Sequence, residues 1–166
     1  WDDIEQLSSD ITGRKVLLCT GLGSTETAPF ALFCTEPQDE PGNIGVPAKG
    51  LTVKLIPDGE KREARIKGPS VTPGYWRSAK LTKDAFDEEG YYRLGDALRF
   101  ADPNDVSKGF YFDGRIAENF KLSTGTWVDV GSLRKKLTDA LGGLARDVVI
   151  AGEGRNELTA LIVPSY

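Results

Sequence analysis

The chain of 166 residues contains no histidine and no methionine. The missing histidine excludes, within this chain, a histidine general base, a Ser-His-Asp triad and every metal site that uses an imidazole ligand. Any chemistry must therefore depend on carboxylates, on cations and on the placement of substrates. Because the sequence begins at Trp1 and has no methionine, we expect it to be a piece of a longer protein.

Cysteine is also scarce. Cys19 lies in an apolar run and Cys34 in a less regular one, and no metal-ligand spacing joins them. We therefore expect both thiols to stay reduced and structural, with a single disulfide as the less favoured alternative.

An excess of positive charge and long hydrophobic runs are absent too. A net charge of -4 gives no basic field that would hold a nucleic acid, so a phosphate ligand would need local cations or a metal. No apolar run is long enough to span a bilayer, and no basic segment followed by a short apolar core marks a signal peptide. We expect a soluble, cytoplasmic protein that binds neither nucleic acid nor membrane.

The first part of the chain predicts a helix, a strand and a polar turn. Apolar residues recur at helical spacing over residues 1–11, and Thr12-Gly13 supplies the stop. Residues 16–20 form an apolar run of strand length, and residues 21–27 carry too many glycines and hydroxyls to continue it. We therefore expect a buried strand that delivers a polar turn.

The middle of the chain is rich in strand patterns. A loop over residues 36–43 precedes two alternating segments, 51–55 and 63–67, that predict a hairpin with one wet face. A helical turn follows at 81–86. Two strands over 91–100, broken at Gly95-Asp96, and one over 110–112 complete this part.

The last part predicts a compact pattern of hairpin, helix and hairpin. Residues 120–122 pair plausibly with 126–130, and Ser132 is a good N-cap for a helix with an apolar face. A final hairpin joins 148–151 to 158–163. The fold class is therefore α+β, with predicted boundaries that divide the chain into 1–39, 40–117 and 118–166.

The turn at 21–26 resembles a dinucleotide-binding glycine pattern, but its last position is Glu26. An acid there would repel a pyrophosphate unless a divalent cation lay between them. One interpretation is a turn whose Thr25 hydroxyl and backbone amides meet a phosphate while Glu26 holds Mg²⁺. The alternative is a glycine-rich surface turn.

Two further polar residues suit a nucleotide. Asp96 follows a strand at Gly95, where one carboxylate can accept hydrogen bonds from both hydroxyls of a ribose. Arg115 suits an anionic or sugar ligand. Taken alone, each residue is better explained as a solvated turn aspartate and a surface arginine, respectively.

The order of the motifs along the chain resembles the adenylate-forming superfamily, which includes acyl- and aryl-CoA synthetases, peptide-synthetase adenylation domains and firefly luciferase. The resemblance is carried by Gly-Ser-Thr-Glu at 23–26, Glu-Ala-Arg-Ile-Lys-Gly-Pro at 63–69, Gly-Tyr-Trp at 74–76, Tyr-Arg-Leu-Gly-Asp at 92–96 and Gly-Arg-x-x-Glu-x-x-Lys at 114–121. Within the superfamily, residues 20–29, 95–100, 112–121 and 125–128 look most like those of feruloyl-CoA synthetases.

The resemblance implies a nucleotide-contacting turn and a ribose site. Thr25, beside Gly23 and Ser24, would contact the adenylate phosphate, and Glu26 would bind Mg²⁺. Asp96 would hold the ribose hydroxyls, with Arg115 close to the same sugar.

The resemblance also implies a mobile C-terminal lid. Glu118 matches the hinge about which the lid turns between adenylation and thioester formation, where aspartate or lysine is usual. Lys121 and Gly125 match the loop that enters the active site in the thioester state, with Gly125 where pantetheine passes. This loop is one residue longer than in many relatives.

The implied fold is the C-terminal part of the large domain, with a β-rich, distorted barrel subdomain, followed by the start of a small α+β lid. The implied reaction converts ATP, a hydroxycinnamate and CoA to an aryl-CoA, AMP and pyrophosphate. The alternatives are a peptide-synthetase adenylation domain and a non-catalytic remnant, and a homo-oligomer is left open. Because the family's triphosphate loop and catalytic lysine would lie outside this segment, we expect the isolated chain to be inactive.

Overall fold

A computed structural model describes residues 2–16, 18–36 and 42–166. The chain divides into two compact units, Trp1–Phe112 and Asp113–Tyr166. The fold class is the predicted one, mixed α+β and rich in sheet. The predicted boundary at 39/40 lies outside the described residues, and the one at 117/118 stays a prediction.

In the part of the first unit that the structure describes, helix α1 is followed by six strands, one short α-helix and the start of a seventh strand. Helix α1 ends where the Gly13 amide donates to the carbonyl of Ser9, as the sequence predicts. The elements are α1 (Asp2–Thr12), β1 (Gly21–Ser24), β2 (Ala28–Phe33), β3 (Asn43–Pro47), β4 (Thr52–Asp58), β5 (Lys61–Lys67), α2 (Ala79–Ala85), β6 (Tyr92–Phe100) and β7 (Phe110–Arg115).

These strands form one seven-stranded sheet in the order β1-β2-β3-β7-β6-β5-β4. The predicted hairpin is confirmed, since β4 and β5 pair antiparallel over their full length from Thr52–Lys67 to Asp58–Lys61. Buried apolar side chains from five of the strands, β2, β3, β5, β6 and β7, pack into one core. Its buried members are Ala31, Leu32, Ile44, Ala64, Ile66, Leu98 and Phe110.

The predicted strand at 16–20 is wrong for the residues that the structure describes there. Residues 16 and 18–20 are not in a strand, and Val16 and Cys19 are exposed. The strand forms at 21–24 instead, because its glycines let its backbone approach β2 closely. A Cβ at Gly23 would lie 2.3 Å from the carbonyl oxygens of Ala28 and Pro29.

The predicted break at Gly95-Asp96 is an irregularity within one continuous strand. Glu63 of β5 faces Ala97, whereas Arg65 faces Arg93, so three residues of β6 lie opposite one residue of β5. Gly95 has a φ of +75°, which a glycine adopts without strain. The extra residues form a β-bulge, which re-aims side chains without ending the strand.

The second unit contains two small antiparallel pairs and one helix. The elements are β8 (Phe120–Lys121), β9 (Trp127–Val128), α3 (Val130–Leu141), β10 (Ala145–Ala151) and β11 (Thr159–Pro164). Both predicted hairpins are present, as β8-β9 and β10-β11. A two-pronged ion pair, with Arg134 Nη2 2.6 Å from Asp147 Oδ2 and Arg134 Nε 2.8 Å from Asp147 Oδ1, joins α3 to β10.

The predicted N-cap of α3 is wrong. Asp129 occupies that position, and its carboxylate accepts hydrogen bonds from the Ser132 amide at 3.4 Å and the Ser132 hydroxyl at 2.6 Å. An aspartate three residues earlier can satisfy the first free amides of the helix, so the helix begins at Val130.

Candidate functional site

The turn between β1 and β2 presents the first group of predicted site residues. The Thr27 hydroxyl accepts a hydrogen bond from the Ser24 amide at 2.9 Å, and the Thr27 amide donates to the Ser24 carbonyl at 3.2 Å. Thr27 is fully buried, while Thr25 is exposed and Glu26 is half-buried. The turn therefore holds its own shape and presents Thr25 and Glu26 at its tip.

A second segment, residues 68–77, lies against this turn and is named here the docking loop. The Thr72 amide donates to the Glu26 carbonyl at 2.7 Å, and the Ser70 hydroxyl donates to the Thr27 carbonyl at 2.9 Å. The Tyr75 hydroxyl donates to Glu26 Oε1 at 2.8 Å. Backbone and side chain of Glu26 are thus both fixed by the docking loop.

The Glu26 carboxylate is held in its ionised form. The hydrogen bond from Tyr75 lowers the pKa of Glu26, burial opposes it, and hydrogen bonds from Ser24 and Tyr92 act in the same direction as Tyr75. Burial, together with Tyr75 and Glu26, raises the pKa of Tyr92, so this phenol stays protonated. The cluster therefore places an ionised carboxylate among hydroxyl donors.

Asp96 lies in the β6 bulge and is 6% exposed. Tyr92, which contributes to the pKa shift of Glu26, stands four residues earlier on the same strand. Strand β6 therefore carries both a neighbour of the Glu26 carboxylate and the predicted ribose ligand.

The remaining predicted residues lie in the second unit. Arg115 ends β7 and is exposed, and Glu118 ends a single 3-10 turn over Ile116–Glu118. The next residue is anchored, because the Asn119 side chain accepts a hydrogen bond from the Val130 amide at 3.2 Å. Glu118 thus lies between the end of strand β7 and the anchored residue Asn119.

Lys121 and Gly125 flank the turn of the β8-β9 pair, named here the lid loop (residues 121–125). Gly125 has a φ of +85° and open space around its Cα, and its amide donates to the Leu122 carbonyl at 2.9 Å. The Lys121 ammonium lies 5.4 Å from the centre of the Trp127 ring. The lysine therefore packs back over its own hairpin.

The turn of the β10-β11 hairpin fastens the lid loop. The Ser123 amide donates to the Arg155 carbonyl and the Gly154 amide to the Lys121 carbonyl, each at 2.9 Å. The Ser123 hydroxyl also bonds the Asn156 side chain. The sequence assigned no functional role to this turn or to Tyr75, because their contacts with the lid loop and with Glu26 join residues that lie tens of positions apart. The aromatic residues of the Gly-Tyr-Trp motif at 74–76 were the sequence feature that could have indicated Tyr75.

Among residues 2–16, 18–36 and 42–166, no cluster of three or more Asp, Glu or Cys side chains could hold a metal. Mg²⁺ commonly binds through one or two carboxylates together with substrate phosphates rather than in an all-protein cage. Glu26, ionised and half-buried, fits that mode as a single protein ligand. In the part of the chain that the structure describes, no helix has the length and apolar character needed to cross a membrane.

No family model matches the chain. The chain is 27% identical over 164 residues to the long-chain-fatty-acid–[acyl-carrier-protein] ligase AEE15, chloroplastic, of Arabidopsis thaliana, which covers 90% of this chain and 22% of that protein. A carboxylic acid reductase of Mycobacterium marinum is 35% identical over 125 residues, or 74% of this chain and 10% of the reductase. A probable 4-coumarate–CoA ligase of Dictyostelium discoideum is 30% identical over 118 residues, or 66% of this chain and 20% of the ligase. The chain thus spans about a fifth or less of the length of these relatives.

Solved structures of similar proteins match this chain over almost its whole length. The adenylation domain of a carboxylate reductase from Mycobacterium chelonae has a TM-score of 0.67 and 26% identity, covering 98% of this chain and 25% of that one. An ATP-bound RpMatB-BxBclM chimera has a TM-score of 0.68 and 25% identity, covering 99% of this chain and 33% of that one. The relatives and the structural neighbours together support the membership of this chain in the adenylate-forming superfamily of AMP-binding and acyl-CoA ligase proteins.

Proposed function

We propose that this chain is a segment of a cytoplasmic, ATP-dependent aryl-CoA synthetase that acts on a hydroxycinnamate such as ferulate. In the first step, a carboxylate oxygen of the acid attacks the α-phosphorus of ATP, and pyrophosphate leaves. In the second step, the thiol of CoA attacks the acyl carbonyl, and AMP leaves. The acid is already ionised, so the first step requires no general base.

The observation that carries the proposal is the arrangement around the turn between β1 and β2. An exposed hydroxyl at Thr25 stands next to an ionised carboxylate at Glu26, which Tyr75 holds from the docking loop. Hydroxyl donors and a cation-binding carboxylate at one tip suit a phosphate chain that carries a divalent metal. An ATP-bound structural neighbour supports this interpretation.

In the nucleotide-binding part, Gly23, Ser24 and Thr25 would contact the phosphate, and Glu26 would bind Mg²⁺. When bound, Mg²⁺ supplies charge neutralisation at the phosphates. Asp96 would accept hydrogen bonds from both ribose hydroxyls, and Arg115 would lie near the same sugar. These residues act by placement and charge stabilisation, which is consistent with a chain that lacks histidine.

In the lid, Glu118 would be the pivot and the lid loop the part that enters the site for thioester formation. A 3-10 turn that precedes the anchored Asn119 supports this role, because a turn held by few hydrogen bonds absorbs dihedral changes more easily than a strand. Lys121 and Gly125 would then line the path of pantetheine.

A second candidate differs in the acceptor thiol. One relative is a ligase of an acyl carrier protein, and two others are carboxylic acid reductases. A carboxylic acid reductase from Segniliparus rugosus has been solved as an A-PCP didomain. These relatives favour a thiol on a carrier protein as the alternative acceptor. Supplying the preformed acyl-adenylate with CoA or with a thiol-bearing carrier protein distinguishes the two.

The first prediction tests the ribose site. Asp96→Asn should weaken the binding of AMP about tenfold, because hydrogen bonds to a charged acceptor are roughly twice as strong as those to a neutral one. Asparagine keeps the volume of this buried side chain. Isothermal titration of AMP into the active enzyme that contains this segment measures the effect.

The matched control for this prediction is Asp58→Asn, at the exposed end of β4. It should leave the affinity for AMP unchanged. Equal affinities for the Asp96→Asn variant and the native protein would remove Asp96 from the ribose site.

The second prediction tests the pivot. Glu118→Pro should leave adenylation unchanged and slow thioester formation about tenfold, because proline fixes φ near -65° and restricts the residue before it. Pyrophosphate exchange into ATP measures the first half-reaction, and thioester formation from preformed acyl-adenylate measures the second. Glu118→Ala, which leaves the backbone free, should retain both. An equal loss in both half-reactions argues against a hinge at this position.

A further inference from the structure

The docking loop fixes the side chain of Glu26 as well as its backbone. The docking loop reaches it with three hydrogen bonds to the turn, and one of them, from the Tyr75 hydroxyl to Glu26 Oε1 at 2.8 Å, ends on the side chain itself. The two residues lie 49 positions apart in sequence, so the contact depends on the tertiary fold.

Tyr75 is itself held in place. Its amide donates to the Thr82 hydroxyl of α2 at 2.8 Å. The preceding Gly74 lies so close to α2 that an added Cβ would be 2.5 Å from Thr82 Cγ2. The phenol therefore extends from a backbone that is held against α2.

A hydrogen bond to one oxygen restricts the rotation of a carboxylate. An ionised carboxylate offers about four acceptor positions, so a bond to Oε1 leaves capacity for a cation. Partners of this kind orient metal ligands, and their loss typically lowers metal affinity roughly 10- to 100-fold.

We propose that Tyr75 is a positioning residue that orients the Glu26 carboxylate toward a divalent cation bound with ATP. This statement rests on the proposed function, in which Glu26 is the cation ligand. The hydroxyl acts through Glu26 and does not itself contact the reacting atoms.

The test uses Mn²⁺ as the cation and the active enzyme that contains this segment. Mn²⁺ added in the presence of ATP should broaden the carbon-13 signal of the Glu26 side chain. In Tyr75→Phe, which keeps the ring and removes only the hydroxyl, the same broadening should require about tenfold more Mn²⁺. Tyr111→Phe, on β7, is the control and should behave like the native protein, since its ring packs against Arg99 and away from these contacts.

Each outcome decides between the alternatives. Unchanged Mn²⁺ dependence, or a lower requirement, in Tyr75→Phe overturns the positioning role while leaving Glu26 as a ligand. An absence of broadening in the native protein overturns the role of Glu26 and with it the role of Tyr75. Hydrogen exchange at the Thr72 amide reports whether the docking loop stays in place. Faster exchange in Tyr75→Phe would show that the phenol stabilises the loop and does not orient the carboxylate. That result would also overturn the positioning role of Tyr75.

Discussion

Gly45→Ala should lower the free energy of unfolding by about 4 kcal/mol, near the upper end for single substitutions. Gly45 lies in β3 with a φ of +80°, and an added Cβ would lie 2.0 Å from both the carbonyl carbon and oxygen of Phe33 and 2.4 Å from the amide nitrogen of Cys34. All three contacts are backbone atoms of the neighbouring chain segment. No side-chain rotation relieves them, so β2 and β3 must separate.

Urea denaturation of the chain measures this effect, and Gly90→Ala is the matched control. Gly90 has a similar φ of +77°, but a Cβ there would meet only the end of the Lys67 side chain at 3.8 Å. The control should therefore show the backbone strain alone, about 1 kcal/mol. Equal destabilisation by the two substitutions would mean that the backbone contact in β3 relaxes easily.

Asp87→Asn should lower the free energy of unfolding by about 2 kcal/mol, less than the loss expected for a fully buried ion pair. The Asp87 side chain is 6% exposed, and its Oδ2 lies 2.8 Å from Lys54 Nζ and 3.1 Å from Arg65 Nη1. Its Oδ1 accepts the amides of Glu89 and Tyr91, each at 3.0 Å. Asparagine keeps the shape but leaves the two cations without their shared anion.

The pH dependence of stability gives a second measurement of the same network. Burial alone would raise the pKa of Asp87, but the hydrogen bonds from Lys54, the Tyr91 amide, Arg65 and the Glu89 amide outweigh it and hold the pKa well below its ordinary value. A carboxylate with a lowered pKa in the folded state stabilises the protein above its unfolded pKa of about 3.9 and loses that contribution as the pH falls.

Urea midpoints measured from pH 7 down to pH 3 should therefore decline more steeply for the native chain than for Asp87→Asn. Asp58→Asn, which alters an exposed carboxylate, should follow the native curve. Parallel curves for the native chain and Asp87→Asn would show that Asp87 contributes no charge-dependent stability.

Some elements were predictable because their signal is local. The β4-β5 hairpin follows from alternating apolar and charged residues, and α1 ends at the predicted glycine. Strand β1 was not predictable in this way, because glycine disfavours a strand unless another backbone approaches closely. At Gly23 the β2 backbone comes so close that an added Cβ would lie 2.3 Å from its carbonyl oxygens. This close approach arises only when β1 and β2 pair, so neither segment predicts it alone.

The candidate site also has residues that local motifs predict and a contact that depends on the tertiary fold. The resemblance locates Thr25, Glu26 and Asp96 from short motifs, and the structure places the first two at the tip of one turn and the third in a bulge of β6. The bond from Tyr75 to Glu26 was outside the reach of pattern reasoning, because no local periodicity relates a loop to a turn so distant in sequence. Roles for these residues stay predictions until the variants are measured.

The attachment of the lid loop to the β10-β11 turn limits how the two segments can vary in length. Lys121 and Ser123 each bond the opposite turn through backbone atoms, and those bonds require a fixed spacing in both segments. An insertion in one turn would pull a donor away from its acceptor unless the other turn changed with it. A relative whose lid loop differs in length should therefore carry a compensating difference at the positions of residues 152–156, so that the two turns change length as a pair.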